Sequence, residues 1–525
     1  RPRRPALALA GLVAAGLACL APDLGPGGPR ARADEGGGAA AGKVPPDLRP
    51  DVDAAVARGA AWLRGRAGPD GLFRWSVDGQ RTFSHWNAPA CDEGLTCLAV
   101  LALVRAGVAR DDPVVVRALD VLRRRLASPV PPPAGGDART FTYAAGALLW
   151  MLSEVRPAGF GDAAAQAALG LAHGIHPDGG WSYTLPRVRV DGTYARVLPD
   201  PRGAEPSDLS NGQFAVIGLL SAERLGVWRA DAPWEALHAG LVAAPRTDGA
   251  FGYRHDDAAP DVFRAGRRLT TAIAAGNLFV ALRRRGASRP EALKDATFRR
   301  ALAWLDRHPF ADAATGRWAA RDVGDQTARP PYYEMLAIER LGAFSGLPRL
   351  GGADWYRVGV GSLRALQGAD GGWPGGTAEA AFRNAVEHTT LALLFLTRAL
   401  DAVPVTSPDL TTGDLVGAKD ALEPHFSDLV ARAVRAHALA EGDARVAWQR
   451  AFVATGLRAL EAVVRLHADG PSELAPAAHG LLRLLTGFPV EAKGREARAL
   501  AWARFLFAHR ATLAPSADGL TFTDR

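Results

Sequence analysis

Between residues 51 and 402 the chain alternates two apolar patterns. One keeps its apolar positions on a single helical face, as in WYRVGVGSLRAL at 355–366. The other is apolar almost all round, as in HTTLALLFLTRAL at 388–400. A helix with one polar face can meet water, whereas a helix that is apolar all round must be enclosed by other helices. The alternation therefore predicts pairs of helices, each with one half-exposed and one buried member.

The two patterns alternate six times. This predicts an all-α fold, a six-pair α/α toroid over residues 51–402, in which six enclosed helices form an inner ring and six amphipathic helices surround them. An open solenoid of helix pairs would satisfy the same pattern locally, but it needs polar caps at its ends. Neither the first nor the last apolar segment has a polar outer face, so we expect a closed ring.

A short turn recurs between the outer and the inner helix of a pair, and we call each copy a joint. Its best copy is QGADGGW at 367–373. The glycine step of the joint recurs at Asp70-Gly71, Asp178-Gly179, Asp248-Gly249, Thr315-Gly316 and Asp370-Gly371. Aromatic residues follow it, namely Phe73, Trp75, Trp181, Phe251, Trp318 and Trp373. We expect the glycine to end the outer helix in a left-handed cap and the aromatic residue to wedge between neighbouring outer helices. Stacking of the tryptophans against a ligand is the alternative.

The first residues of the chain are typical of a secretory signal peptide. Arginines at the start precede an apolar run, and the small residues of Ala31-Arg32-Ala33 form a cleavage-site pattern that ends at Ala33. We expect residues 1–33 to be a signal peptide, 34–50 to be a flexible linker, and the mature protein to be exported to the periplasm or the cell exterior. Lipidation at Cys19 stays open. No later segment is a better membrane candidate, so we do not expect an integral membrane protein.

The tail from 403 to 525 lacks the joint. Its apolar spacing predicts four helical segments, at about 412–440, 443–467, 472–486 and 490–512. The last two resemble a HEAT-type repeat. We expect a small C-terminal helical bundle that docks on the toroid or recruits a protein partner.

Composition narrows the function. The net charge of +7 comes from arginines scattered through predicted helices, without a dense basic tract. This argues against nucleic acid as a partner. Beyond the signal peptide only Cys91 and Cys97 remain, and six residues apart on a helix they face different sides, so no disulfide is expected between them.

The order of outer helix, joint and inner helix resembles the repeat of the squalene-hopene and oxidosqualene cyclases. The protein prenyltransferase β subunits share the six-pair toroid. The stretches DLSNGQFAVIGLLSAERLGV at 208–227 and PPYYEMLAIERLGAF at 330–344 are most similar to the secreted bacterial proteins with prenyltransferase and squalene oxidase repeats. The resemblance covers about residues 51–402 and implies the toroid fold.

The activities of these families can be compared with the chain residue by residue. A cyclase protonates an alkene with an Asp-x-Asp-Asp motif, but the corresponding Asp208-Leu209-Ser210-Asn211 keeps only the first acid. This departure argues against protonative cyclisation. A prenyltransferase binds zinc through Asp-x-Cys and a histidine. His388 matches that histidine, and ring closure would bring it beside Cys91 and Asp92. This zinc set is the alternative to a protein without a cofactor, in which His388 lines the lumen.

A set of polar side chains lies at the predicted starts of the inner helices. These N-termini converge on one end of a toroid, where a pocket is expected. The candidate ligand-binding residues are Asp92, Glu93, Tyr143, Asp208, Ser210, Asn211, Gln213, Thr270, Thr271, Tyr332, Tyr333, Glu334, Glu387 and His388. Helix capping and packing are the alternative roles for each of them.

Two kinds of function remain. The favoured one is an exported module that binds a ligand in its lumen, or a partner, without the catalytic motifs of its relatives. The alternative is an enzyme that acts on an isoprenoid, or on a polysaccharide with a lyase-like cluster of Tyr333, His388 and Asn211. If the protein is an enzyme, the catalytic candidates are Asp208, Tyr333 and His388.

Overall fold

The computed structural model describes residues 44–75, 89–133, 136–191, 194–198, 206–228, 230–254, 266–319, 331–374, 384–397, 425–470, 474–490, 492–509 and 512–524. The predicted signal peptide at 1–33, Cys19 and most of the predicted linker lie outside these residues.

The described residues up to 397 form helices and two small hairpins. Its helices are α1 (Arg49–Arg64), α2 (Pro89–Arg105), α3 (Pro113–Arg125), α4 (Thr142–Val155), α5 (Gly161–His173), α6 (Leu209–Leu225), α7 (Ala232–Ala243), α8 (Arg268–Arg284), α9 (Arg289–Lys294), α10 (Ala296–Arg307), α11 (Tyr332–Ser345), α12 (Trp355–Leu366) and α13 (Ala385–Leu396). The antiparallel hairpins pair β1 (Val188–Asp191) with β2 (Tyr194–Val197), and β3 (Arg349–Leu350) with β4 (Ala353–Asp354).

The helices α2, α4, α6, α8, α11 and α13 form a closed inner ring. Each contacts the next in this order, and α13 returns to contact α2. The first outer helix, α1, contacts both helices of the last pair, α12 and α13. The predicted six-pair toroid is therefore confirmed by the contacts of the chain's own helices.

Burial explains why the two kinds of helix take these places. Every residue of α2 from Ala90 to Leu103 is buried, whereas α12 buries one face and exposes the other. Small residues let the inner helices approach closely. A Cβ on Gly218 of α6 would lie 2.9 Å from the Cα of Gly146 in α4, so larger side chains at this crossing would separate the two helices.

The joint glycines are left-handed, but they do not cap the outer helices. The φ angle of Gly371 is +95°, a backbone conformation that favours glycine. However, α12 already ends at Leu366 with an extended cap residue, Gln367. Gly371 lies in the following turn, where its N–H donates to the Gly368 carbonyl at 3.0 Å. The predicted helix cap is thus wrong in position, although the left-handed conformation is correct.

The joint glycines serve a second purpose, because each joint touches the next outer helix. A Cβ on Gly371 would lie 2.7 Å from the carbonyl oxygen of Arg58 in α1. The same approach to the next outer helix recurs at the first, third and fourth joints. The fifth joint differs, since a Cβ on Gly316 would have no such atom within 4 Å.

The joint aromatic residue braces neighbouring outer helices, as the sequence predicts. Trp373 is fully buried, and its Nε1 donates to the Leu363 carbonyl of α12 at 2.8 Å. On its other side it meets α1, where a Cβ on Gly59 would lie 2.5 Å from the indole ring. The backbone N–H of Trp373 donates to Oγ1 of Thr389 in α13 at 3.0 Å. One residue thus joins the last outer helix, the last inner helix and the first outer helix.

The tail has a second hydrophobic core, formed by buried residues between Leu429 and Phe522. It contains α14 (His425–Leu439), α15 (Gly442–Thr455), α16 (Leu457–Asp469), α17 (Ala475–Thr486), α18 (Arg495–His509) and a hairpin of β5 (Leu513–Pro515) and β6 (Phe522–Asp524).

The tail differs from the sequence prediction in two places. The helix predicted over 443–467 is two helices, because the chain turns at Gly456 with φ +85°. The terminal hairpin was not predicted.

Among the described helices, none combines the length and the apolar character needed to cross a membrane.

Candidate functional site

Four of the chain's seven tyrosines meet at the N-terminal end of the inner ring, around Ser210 at the start of α6. The Tyr143 hydroxyl donates to Ser210 Oγ at 2.5 Å. The Tyr253 hydroxyl lies 3.0 Å from the same Oγ and 2.9 Å from the Tyr183 hydroxyl. Tyr333 completes the group by donating to the Ser210 carbonyl oxygen at 3.3 Å. We call these five residues the tyrosine cluster.

Two kinds of element deliver these side chains. Tyr143 and Tyr333 are the second residues of the inner helices α4 and α11. Tyr183 and Tyr253 follow the third and fourth joints, each two residues after the joint aromatic. Because α8 separates α6 from α11 in the ring, the hydrogen bond from Tyr333 to Ser210 crosses the lumen.

The rings of the cluster also contact one another. The Tyr143 ring lies 4.9 Å from the ring of Phe214 in α6, and the Phe214 ring is parallel to Tyr333 within 2° at 6.4 Å. All four tyrosines are partly exposed. The cluster therefore presents aromatic surface together with hydroxyl groups, a combination that contacts both apolar and polar parts of a ligand.

Asp208 lies directly beneath this cluster and caps α6. Its Oδ1 accepts from the Asn211 N–H at 2.8 Å and from Ser210 Oγ at 2.8 Å. Its Oδ2 accepts from Asn211 Nδ2 at 2.8 Å. The residue is 2% exposed, and this burial raises the pKa of the carboxyl despite the hydrogen bonds, which act in the opposite direction.

Burial also controls the charge of the phenols. It is the main cause that raises the pKa of Tyr143, Tyr253 and Tyr333 above the ordinary value for tyrosine. These hydroxyls therefore stay protonated at physiological pH, and the surface of the cluster is uncharged.

A second group lies at the start of α13. The His388 ring is 4.8 Å from the Tyr332 ring, and the Tyr332 hydroxyl donates to the Pro374 carbonyl at 3.3 Å. Burial lowers the pKa of His388 to about 4 and raises the pKa of Glu387 to about 8. Both side chains are therefore neutral at pH 7, like the tyrosine cluster.

Other candidates from the sequence hold the joints and helix ends in place. Asp92 accepts from the Trp75 N–H at 2.8 Å and from Arg74 Nη1 at 3.1 Å, which fixes the first joint. Thr271 Oγ1 accepts from the Phe251 N–H at 3.0 Å, and Thr270 Oγ1 donates to the Phe251 carbonyl at 2.7 Å. These contacts anchor the fourth joint on α8.

Glu93 and Glu334 pair with arginines away from the tyrosine cluster. Glu93 accepts from Arg125 Nε at 2.5 Å and from the Ala138 N–H at 2.7 Å, while burial raises its pKa. Glu334 forms an ion pair with Arg268 at 2.9 Å. Both carboxylates are thus engaged within the protein.

Ring closure places α13 beside α2 as predicted, but the zinc set does not assemble there. Within the described part of the chain, no three His, Cys, Asp or Glu side chains lie close enough to hold a metal ion. This includes Cys91, Asp92 and His388. Cys91 and Cys97 are both buried.

Three residues at or near this end were not identified from the sequence: Tyr183, Tyr253 and Arg340. The two tyrosines carry a detectable signal, because WSY and FGY place a tyrosine two residues after a joint aromatic. Arg340 lies in the middle of an inner helix, and the local sequence gives no sign that it is buried.

A small cavity lies under the third joint, lined by Asp178, Trp181, Leu237 and Asn277 among others. Its volume of about 10 Å³ has room for one water molecule. The tyrosine cluster, which is partly exposed, is the more suitable surface for a larger ligand.

Among known proteins, similarity to this chain is found with solved structures. No family model and no curated protein matches the sequence. The apo structure of the type II terpene cyclase MstE from Scytonema is similar over 67% of this chain and 99% of its own, with 15% identity and a TM-score of 0.40. A variant of that enzyme in complex with geranylgeranyl dihydroxybenzoate covers 69% of this chain and 99% of its own, with 15% identity and a TM-score of 0.41.

Proposed function

We propose that the toroid is a ligand-binding module whose ligand contacts the tyrosine cluster at the N-terminal end of the inner ring. The observation that carries this proposal is the hydroxyl network of four partly exposed tyrosines around Ser210. A ligand with a largely apolar body and a few oxygen atoms fits this surface, because aromatic rings and neutral hydroxyls line it.

Binding is favoured over acid catalysis by the state of Asp208. Both of its oxygens accept hydrogen bonds from Ser210 and Asn211, so the carboxyl is committed to capping α6. Asn211 stands where a cyclase has an acid, and its amide donates to Asp208. The same commitment weakens the lyase alternative, since Asn211 is engaged and His388 contacts Tyr332, not Tyr333.

The test is a calorimetric titration of the whole chain with farnesol, an apolar alcohol. We expect binding to the wild type and about a tenfold weaker affinity in the double variant Tyr143→Phe and Tyr253→Phe, which loses two hydroxyls. Tyr356→Phe is the matched control, because its hydroxyl donates to the Leu396 carbonyl at 2.7 Å, outside the cluster. No binding by the wild type, or equal affinity in all three proteins, would refute the proposal.

An enzyme that acts on an isoprenoid is the second candidate, because burial raises the pKa of Asp208 and so favours the protonated acid that alkene protonation needs. Mass-spectrometric detection of a cyclised product from farnesol, lost in Asp208→Asn, would support this enzyme over the binding module.

A further inference from the structure

Arg340 is a buried cation on the lumen side of the inner ring. It lies seven residues after Tyr333 in α11, two helical turns deeper on the same face. Since Tyr333 reaches across the lumen, this face of α11 lines it. Arg340 is 3% exposed, and its guanidinium carbon lies 5.2 Å from the centre of the Phe344 ring.

The Arg340 guanidinium has fewer hydrogen-bond and ion-pair partners than that of another buried arginine, Arg139. Arg139 is 1% exposed, and it pairs with Asp137 and donates from Nη1 to the Ser128 carbonyl and to Gln166, both at 2.6 Å. Among the described residues, no hydrogen bond reaches Nε of Arg340, and Glu339 is the one carboxylate whose charge acts on its pKa. A buried charge without a counterion is unfavourable, so an anion is expected there when the site is occupied.

Glu339 does not supply that anion. It directly precedes Arg340 in α11, on a face about 100° away around the helix. Its charge and the Tyr333 phenol act to raise the pKa of Arg340, but burial outweighs both and lowers that pKa to about 9. Arg340 therefore remains cationic at pH 7, with its desolvation only partly compensated.

A second unsatisfied polar group lies on the facing helix. Gln213 of α6 is fully buried, and among the described residues neither atom of its amide has a hydrogen-bond partner. It lies three residues after Ser210, on the same side of α6, and next to Phe214, whose ring is parallel to that of Tyr333. Below the tyrosine cluster, the inner helices thus hold an unpaired amide as well as a guanidinium.

We propose that the ligand of the tyrosine cluster carries an acidic group, a carboxylate, that pairs with Arg340 and accepts a hydrogen bond from the Gln213 amide. This inference rests on the proposed ligand-binding function and adds the chemical class of the ligand, an apolar acid.

The test compares two probes with the same hydrocarbon, farnesoic acid and farnesol, by calorimetry at pH 7. We expect the wild type to bind the acid about 10- to 100-fold tighter than the alcohol, the gain of a charged hydrogen bond. Arg340→Met should remove this preference and leave the farnesol affinity unchanged. Arg340→Lys should keep part of it, because lysine retains the charge without the planar fork of donors.

Arg283→Met is the matched control, since Arg283 is a buried arginine that donates to the Ala287 carbonyl at 2.6 Å at the end of α8. It should keep the preference for the acid. Without ligand, Arg340→Met should have the same or a higher thermal midpoint than the wild type, whereas Arg283→Met should have a lower one.

The outcomes separate the two proposals. Binding of neither probe overturns the ligand-binding function and this inference with it. Binding of farnesol without a preference for the acid, or a preference that survives in Arg340→Met, overturns only the inference. A lower midpoint in ligand-free Arg340→Met would show that Arg340 has a structural role and would also overturn it.

Discussion

Substitution of Gly371 by alanine tests the closure of the ring directly. Gly371 belongs to the last joint, and a Cβ there would lie 2.7 Å from the Arg58 carbonyl oxygen in the first outer helix. That oxygen belongs to a helix backbone and cannot move away as a flexible side chain would. The new methyl group must therefore push the last pair away from the first.

The expected loss has two parts. A non-glycine residue in the left-handed region, where Gly371 has φ +95°, costs about 1–2 kcal/mol. Overpacking against the Arg58 carbonyl costs about 1–3 kcal/mol more. The sum is roughly 2–5 kcal/mol, a large part of the ~5–15 kcal/mol by which folded domains are typically stable.

Gly316→Ala separates the two parts. Gly316 also has a positive φ, +65°, but among the described residues no atom would lie within 4 Å of a Cβ there, so only the conformational cost applies. Urea unfolding followed by circular dichroism measures both variants. We expect Gly371→Ala to lose about 1–3 kcal/mol more than Gly316→Ala. Equal losses would refute the packing of the last joint on α1.

Three further predictions concern polar groups of the inner helices. The folded-state pKa of Glu387, about 8, exceeds its ordinary value of 4.5, so the folded state keeps a proton that the unfolded state has lost, and stability falls as the pH rises through this window. The pKa of His388 lies below its ordinary value of 6.5, so this histidine does not contribute to the slope above pH 6.5. Glu387→Gln should therefore flatten the decline of the thermal midpoint between pH 6.5 and 8; an unchanged slope would contradict the raised pKa of this carboxyl. Glu334→Gln should lower the unfolding free energy in urea by about 3 kcal/mol, because it removes the charge that pairs with the buried Arg268. The double variant Arg268→Met and Glu334→Leu should recover part of the loss; an equal loss in both would count against the pair. Gln213→Met should raise the ligand-free stability by about 1 kcal/mol by removing an unsatisfied amide and weaken farnesoic acid binding; a loss of stability would reveal a structural partner.

The fold could be predicted because it depends on the apolar pattern of whole helices and not on single residues. A helix that is apolar all round can only be enclosed, and six such helices alternating with amphipathic ones leave few arrangements. The position of the joint glycine was harder to predict. A glycine after a helix is compatible with a cap or with a later turn, and the choice here depends on the backbone of the neighbouring outer helix, which lies far away in sequence.

The candidate site was partly predictable for the same reason. Tyr143, Ser210 and Tyr333 could be expected together because the inner-helix starts converge. Asp92 is an acidic residue at the start of an inner helix, where a ligand-binding acid is expected. Its carboxylate instead accepts a hydrogen bond from the first joint. Residue type and position could not distinguish these roles, because the difference lies in which donors the folded chain brings near each carboxylate.

Ring closure also determines when the fold can be completed during synthesis. The hydrogen bond from Trp62 to Asp370 spans 308 positions, so the contact order of the closing contacts is high. At a translation rate of about 5–20 residues per second, the ribosome makes the first outer helix roughly 15–60 s before the joint that packs against it. During that interval we expect the nascent chain to be an open arc, in which the faces of α1 and α2 that later contact α13 are uncovered. The last helix pair closes the ring. A chaperone that shields the apolar surface until the ring has closed should increase the yield of folded protein.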